Sequence, residues 1–121
     1  MAKTAAEKSF DRLVRLAKKL KLDEVVTGTT YDNAPALRVR DRPFVSIKEA
    51  DVMVLHCPLD VKEMLMEMAP DIYFQTSHFE GWPGLMVRLD LIGDEELAIR
   101  IENAWRFKAP KTLAAKRPTA G

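Results

Sequence analysis

Cysteine, histidine and glycine are scarce in this chain, and their scarcity limits the chemistry that it can carry. The 121 residues include one cysteine, Cys57, two histidines and five glycines. A disulfide framework needs pairs of cysteines, a structural zinc site draws several ligands from Cys and His, and a phosphate-binding loop is rich in glycine. We therefore expect no disulfide, no metal site and no bound cofactor.

Long apolar runs are missing as well. The sequence starts MAKTAAEKSFDRL, with charges where a secretory signal would have an apolar stretch. No window approaches the unbroken apolar length that a membrane span requires. We expect a cytoplasmic protein that does not enter a membrane. With 47% hydrophobic residues, a chain of this length can bury one core but not two.

Charge is nearly balanced in total but unevenly distributed. Residues 1–21 carry seven Lys or Arg against two Asp or Glu, and residues 97–121 carry six against one. Residues 50–96 carry two against ten, while the formal net charge of the whole chain is +1. Basic ends around an acidic middle favour an anionic partner for one surface. The alternative is that these charges only keep a helix and a tail soluble.

Periodicity and turn signals predict the order of the elements. Thr4-Ala-Ala-Glu7 and Asp60-Val-Lys-Glu63 both fit a capping box, so each should begin a helix. Between Glu24 and Cys57 the apolar residues alternate with a period of two and turns interrupt them, which indicates four short strands. Residues 72–76 and 84–92 are the next strands, and Gly93-Asp94 opens a final helix that ends near Pro110.

Short turns between consecutive strands favour an antiparallel sheet. The predicted fold class is α+β, a two-layer sandwich with helices on one side of the sheet and the order α-β-β-β-β-α-β-β-α. Residues 1–110 should form the single domain. Residues 111–121 contain few apolar side chains, and we expect them to form a flexible basic tail.

The loop TSHFEGWPG places a histidine beside a serine and a glutamate. Hydrolytic catalysis requires a nucleophile hydrogen-bonded to an oriented base, and neighbours in sequence do not provide that geometry. Gly81-Trp82-Pro83-Gly84 is typical of a turn whose tryptophan closes the edge of a core. We interpret the loop as structural and expect no enzymatic activity.

Two groups of basic residues are candidates for contacts with phosphates. Alternation predicts that Arg38 and Arg40 project from one face of a strand with Arg42 at the turn. Four further cations share one side of the first helix: Lys8, Arg12, Arg15 and Lys19. For both groups, an ordinary solvated surface is the alternative.

Several phrases, in order, resemble the MmcQ/YjbR family of small bacterial proteins. They are Gly28-Thr-Thr-Tyr31, Pro35-Ala-Leu-Arg-Val39, Phe44, Phe74-Gln-Thr-Ser-His-Phe79, Gly81-Trp-Pro83, Val87-Arg-Leu89, Glu96-Leu97 and Ala104-Trp105. The resemblance covers roughly residues 10–113. It implies a compact α+β fold similar to secretion chaperones and to the frataxin-like sandwich, and members are commonly labelled DNA-binding with a double-wing arrangement of hairpins. The resemblance implies no established reaction.

Three functional hypotheses follow. The first is a non-enzymatic DNA-binding protein that uses the arginines of the wing and the basic side of the first helix. The second is a chaperone-like protein-interaction module that binds a partner chain and no nucleic acid. The third is a small-ligand or catalytic site around Tyr73, His78 and Trp82. The sequence leaves the partner, any base preference and the oligomeric state open.

Overall fold

The first helix, α1 (Ala5–Leu20), begins at the predicted capping box. The Glu7 amide donates to Thr4 Oγ1 at 3.1 Å, and the Thr4 amide donates to Glu7 Oε1 at 3.3 Å. Both bonds satisfy amides that have no partner within the helix. The helix ends at Lys21, whose φ of 57° is left-handed. The computed structural model describes residues 3–117 of the chain.

Six strands form one antiparallel sheet, as the sequence predicts. The strands are β1 (Val25–Thr29), β2 (Pro35–Val39), β3 (Arg42–Glu49), β4 (Val52–His56), β5 (Tyr73–Phe74) and β6 (Gly84–Arg88). Their order across the sheet is β1-β2-β3-β4-β6-β5. The last two strands are shorter than the predicted ranges of 72–76 and 84–92, although β6 begins at Gly84 as predicted. The Arg88–Leu91 turn, closed by a hydrogen bond from Leu91 N to Arg88 O at 3.1 Å, ends β6.

Within residues 3–117 there are three further α-helices, α2 (Leu59–Met68), α3 (Asp94–Lys108) and the short α4 (Lys111–Ala115), and a 3₁₀ helix at Ser77–Phe79. The predicted capping box at the start of α2 is wrong. Pro58 occupies the N-cap, and Asp60 already lies in the first helical turn. Proline suits that boundary because its fixed φ of −60° leads into the helix and its missing N–H needs no partner.

One hydrophobic core lies between the sheet and the helices. Leu13 of α1, Leu65 of α2, Trp105 of α3 and Leu113 of α4 all belong to it. The helices therefore pack on one face of the sheet, and the predicted α+β architecture is confirmed. Trp105 donates its indole N–H to the Asp23 carbonyl at 3.0 Å, so this buried ring has a polar partner.

The C-terminal part of the described chain includes a short helix. Residues 111–115 are helical, and Leu113 is buried against the core. The flexibility of residues 111–121 stays a prediction, and residues 118–121 lie outside the described part of the chain. Among residues 3–117, no helix has the length and apolar character needed to cross a bilayer.

Candidate functional site

The sheet has a second face that the helices do not cover. A row of paired residues crosses all six strands on this face: Gly28, Ala36, Ser46, Val54, Met86 and Phe74. None of them belongs to the hydrophobic cluster that packs against the helices, although Ala36, Ser46 and Met86 are buried, whereas the neighbouring row from Leu37 to Leu85 does belong to it. We call the side of the sheet that carries the first row the open face. Because side chains alternate along a strand, the open face is fixed by the same register that fills the core.

A pocket of about 500 Å³ lies on the open face. Ser46 and Lys48 of β3 and Val54 and His56 of β4 contribute to its floor. One wall is the turn between β1 and β2, which includes Tyr31. The other is the loop between β5 and β6 and is lined by His78, Phe79 and Trp82. Pockets that bind small ligands are of this size.

The β1–β2 turn is held closed by three hydrogen bonds. Thr30 N donates to Ala34 O at 2.9 Å, Asn33 N to Thr30 O at 3.0 Å, and Ala34 N to Thr30 Oγ1 at 3.2 Å. Asn33 takes the positive φ of 65° that the turn requires. Tyr31 is fully exposed at the tip. The turn therefore presents an aromatic ring that the fold itself does not bury.

The opposite wall depends on close backbone packing around Trp82. A Cβ at position 84 would lie 2.1 Å and 2.6 Å from two carbons of the Trp82 ring, so only glycine fits there. Gly81 supplies a positive φ of 74°. The segment is a turn that depends on glycine, as expected: Gly84 is required by the close contact with Trp82, and Gly81 by its positive φ. Trp82, however, lies on the open face and not at the edge of the core.

A buried lysine holds the same loop from behind. Lys62 of α2 is 2% exposed, and its ammonium donates to Phe79 O at 2.6 Å and to Trp82 O at 2.8 Å. Burial lowers the pKa of this amine. Hydrogen bonds to a charged donor are stronger than neutral ones. Lys62 thereby fixes the carbonyls of two residues whose side chains line the pocket.

His56 packs edge-on against Trp82, with ring centroids 4.9 Å apart. Burial lowers the pKa of His56 to about 4, with a smaller effect from the charge on Lys108. The imidazole is therefore neutral at physiological pH. Phe79 and Trp82 meet edge-to-face at 5.1 Å, a favoured geometry for aromatic pairs. These contacts hold Trp82 in place while part of its ring stays exposed.

Three cations share the open face with the pocket. Lys48 lines it directly, with its ammonium 5.9 Å from the Phe79 ring centroid. Arg88 pairs with Val52 across the sheet, and its guanidinium lies 4.1 Å from the Phe74 ring centroid. Arg38 pairs with Val26 and Pro43. Lys48 and Arg88 are exposed and come from β3 and β6, on either side of β4.

Comparison with known proteins places this fold in a family. The family model described as YjbR matches residues 20–107, which is more than half of the chain. The chain belongs to the YjbR family. An uncharacterized protein of Mycobacterium bovis and uncharacterized proteins of two strains of Mycobacterium tuberculosis are each 43% identical to it over 53 residues. That match spans 44% of this chain and 41% of each relative. No solved structure matches significantly.

Two of the three residues that were considered for a small-ligand or catalytic site line the pocket. His78 and Trp82 do so, whereas Tyr73 is buried in the core on the helical side. The Tyr73 hydroxyl donates to the Glu96 carboxylate and accepts from Arg100 Nε at 3.0 Å. Burial and the bond to Glu96 raise the pKa of Tyr73 to about 12. Tyr73 therefore orders the core of this YjbR protein and does not contribute to the pocket.

The wing arginines differ from the predicted arrangement. Arg40 is not in a strand: it has a φ of 56° in the turn after β2, and its Nη2 lies 2.9 Å from Glu24 Oε2. The expectation that Arg38 and Arg40 share a sheet face is therefore wrong. Arg38 does lie on the open face, but its guanidinium donates to Thr29 O at 2.8 Å and Asp41 O at 2.7 Å. Arg42 is exposed at the start of β3.

The basic side of α1 also has internal partners. Arg12 donates to Leu89 O at 2.6 Å, to Ile92 O at 2.7 Å and to Asp94 Oδ1 at 2.8 Å. Arg15 reaches the same carboxylate at 3.3 Å. Lys8 and Lys19 are exposed. Because α1 lies on the helical side, this group does not meet the open face, and the contact of either group with nucleic acid stays a prediction.

The sequence did not predict that four residues would lie on one surface: Tyr31, Lys48, His56 and Arg88. A usable signal was present, since period-two alternation places Lys48 and His56 on the side opposite their buried neighbours. What the sequence could not provide is the order of the strands, which brings β6 next to β4. Within residues 3–117 the side chain of His78 makes no hydrogen bond to Ser77 or Glu80, whereas the Glu80 amide donates to Ser77 O at 3.2 Å. In that same range no cluster of three or more Cys, His, Asp or Glu side chains could hold a metal ion.

Proposed function

We propose that this chain is a non-enzymatic nucleic-acid-binding protein that binds through the open face of its sheet. The observation that carries the proposal is the combination on one surface of an aromatic-lined pocket with the cations Lys48 and Arg88. Single-stranded nucleic acids bind to such surfaces, in which cations follow the phosphates and aromatic rings stack on bases. The label that family resemblance implies points to the same class of ligand, DNA.

The proposal moves the interface away from the surface first inferred from sequence. Arg12 and Arg15 already contact Asp94, and Arg40 contacts Glu24. A phosphate would compete with these pairs for their guanidinium groups. Lys48 and Arg88 interact instead with aromatic rings, which leaves their N–H groups able to donate to phosphate oxygens. As part of this proposal, we place the protein in the cytoplasm, where nucleic acids are accessible.

A salt titration of matched charge variants tests the interface. The double variant Lys48→Gln with Arg88→Gln should bind a labelled single-stranded oligonucleotide more weakly than the parent in fluorescence anisotropy. Its plot of log K against log salt should be shallower by about 0.7 for each phosphate contact removed. Arg38 is left intact because its bonds to Thr29 and Asp41 tie the hairpin together.

The double variant Lys8→Gln with Lys19→Gln is the control, since it removes the same charge from the helical side. It should keep the slope of the parent. Equal losses in both double variants would show that only total charge matters and would contradict an open-face interface. If the parent does not bind single- or double-stranded DNA at low salt, the nucleic-acid proposal itself is wrong.

A protein-interaction module is the second candidate. The outer surface of the helices exposes Met64 and Met68 on α2 and Ile99 and Phe107 on α3. Large exposed apolar side chains occur at protein interfaces. A partner bound there would respond little to salt, because burial of apolar area and not phosphate neutralisation would provide the affinity. A partner captured equally well at low and high salt would favour this candidate.

A further inference from the structure

The pocket on the open face is closed on more sides than a nucleic-acid backbone requires. Its two walls come from separate loops, and Ser46, Val54 and His56 close it from below. A phosphate chain needs a charged groove that runs along a surface, whereas a flat ring needs a slot with apolar sides. The pocket can therefore hold a part of the ligand other than its phosphates.

The walls of the pocket are suited to a planar group. Tyr31 stands exposed on one side and Trp82, with 37% exposure, on the other. The Trp82 ring is fixed by His56, by Phe79 and by the close approach of Gly84. An aromatic side chain held rigidly before binding loses little entropy when a base stacks on it. Trp82 thus offers a stacking surface whose position the fold already determines, and Tyr31 offers a second, exposed ring on the facing wall.

The pocket offers two kinds of polar side chain, a cation and a hydrogen-bond acceptor. Lys48 supplies a positive charge that can reach a phosphate. Asp32 lies in the wall formed by the β1–β2 turn, and its carboxylate, when ionised, only accepts hydrogen bonds. A nucleobase has N–H donors on its edge and a phosphate attached through the sugar, so one nucleotide can satisfy both groups. An apolar molecule would form a hydrogen bond with neither group.

We propose that the pocket takes one unpaired base of a bound strand, stacked against Tyr31 and Trp82, while Lys48 contacts the adjacent phosphate. This inference rests on the proposed function, because it presumes that the open face binds nucleic acid. A base inside a duplex is stacked on its neighbours and cannot enter the slot unless it leaves the helix. The preferred ligand is therefore single-stranded.

Two probes with equal charge separate base insertion from backbone binding. The first is a short oligothymidylate, and the second is an abasic deoxyribose phosphate chain of the same length. The parent should bind the oligothymidylate at least about tenfold more tightly, since stacking of a base on an aromatic residue contributes that much. Binding should also change the tryptophan fluorescence, because Trp82 lies at the site whereas Trp105 is buried in the core.

Variants of the walls locate the effect. Tyr31→Ala changes only an exposed side chain, so the fold should be kept, while the preference for the base-containing probe should fall several-fold and the salt slope stay the same. Trp82→Ala should have the same effect, and Trp82→Phe should restore part of the preference. Circular dichroism confirms that each variant is folded, and Tyr31→Ala alone suffices if Trp82→Ala unfolds.

The outcomes distinguish the two proposals. If the parent binds both probes equally and with the same salt dependence, base insertion is wrong while nucleic-acid binding by the open face stands. Tighter binding of a duplex than of the single strand would also overturn base insertion. If neither probe shows salt-dependent binding, the proposed function is wrong and the inference falls with it.

Discussion

At the scale of single residues, the open face depends on polar groups that sequence patterns do not reveal. Lys62 reads as an ordinary helical lysine, yet it is buried and binds two loop carbonyls. His56 reads as an incidental histidine next to Cys57, yet it supports Trp82. Both roles arise from contacts between segments that are far apart in sequence. Alternation can predict the side of the sheet on which His56 lies, but not the partner that packs on it.

His56 should make the stability of the protein sensitive to mild acid. Its pKa is lowered by burial from 6.5 to about 4, so the folded state binds a proton less readily than the unfolded state. Stability should therefore fall as the pH falls from about 6.5 towards 4, by no more than about 3 kcal/mol for this group. Urea unfolding at a series of pH values measures the loss.

The variant His56→Phe keeps an aromatic ring and removes the titration. Carboxylates also lose their charge in part of this pH range. We therefore compare the free energy of unfolding of the parent with that of the variant at each pH. The difference should shrink or reverse in favour of the variant as the solution becomes acidic. A difference that stays constant from pH 7 to pH 4 would show that His56 does not titrate in this way.

At the scale of elements, the sequence predicted helices and strands correctly where the local signals were strong. The capping box of α1 formed as expected because Thr4 and Glu7 need only each other. Asp60 and Glu63 fit the same pattern, but the chain enters α2 earlier, at Pro58. The strand predicted for residues 84–92 was too long because the turn after Arg88 is held by contacts with α1. Local pattern thus identified the elements, and distant contacts set their ends.

Arg12 is the main polar link between α1 and the segment that leads from β6 into α3. Its three hydrogen bonds reach two backbone carbonyls and the Asp94 carboxylate, which also lies in the first turn of α3. Arg12→Met keeps the aliphatic stem and leaves these acceptors without their donor. We expect unfolding in urea to show a loss of about 1–3 kcal/mol.

Arg15→Met is the matched control on the same helix. Arg15 is 60% exposed as a side chain and makes one contact to Asp94, at 3.3 Å. Exposed ion pairs contribute little, so this variant should lose less than about 1 kcal/mol. Equal losses in the two variants would mean that the bonds of Arg12 to Leu89 and Ile92 add nothing to stability.

At the scale of the whole molecule, the near-neutral net charge comes from charges of both signs on each side of the sheet. The cations that we assign to the interface lie on the open face, and α2 carries the exposed carboxylates Glu63 and Glu67 on the helical side. A strand bound to the open face would experience direct contacts from the cations and a weak, long-range field from the acids. These contributions differ in their response to salt, because screening acts within about 10 Å at 0.1 M salt and about 30 Å at 0.01 M.

Removing distant acids should therefore affect binding only when screening is weak. Glu63→Gln with Glu67→Gln should raise the affinity for a single-stranded oligonucleotide at low salt by less than about threefold, since exposed charges that are not in contact interact by less than about 1 kcal/mol in bulk water. The gain should vanish at 0.15 M salt. Lys48→Gln should weaken binding at both salt concentrations, because a contact persists where the field does not. Anisotropy titrations at the two concentrations compare these variants. A gain from the acid-removing variant that survives at 0.15 M salt would place the bound strand next to α2 and contradict an interface on the open face.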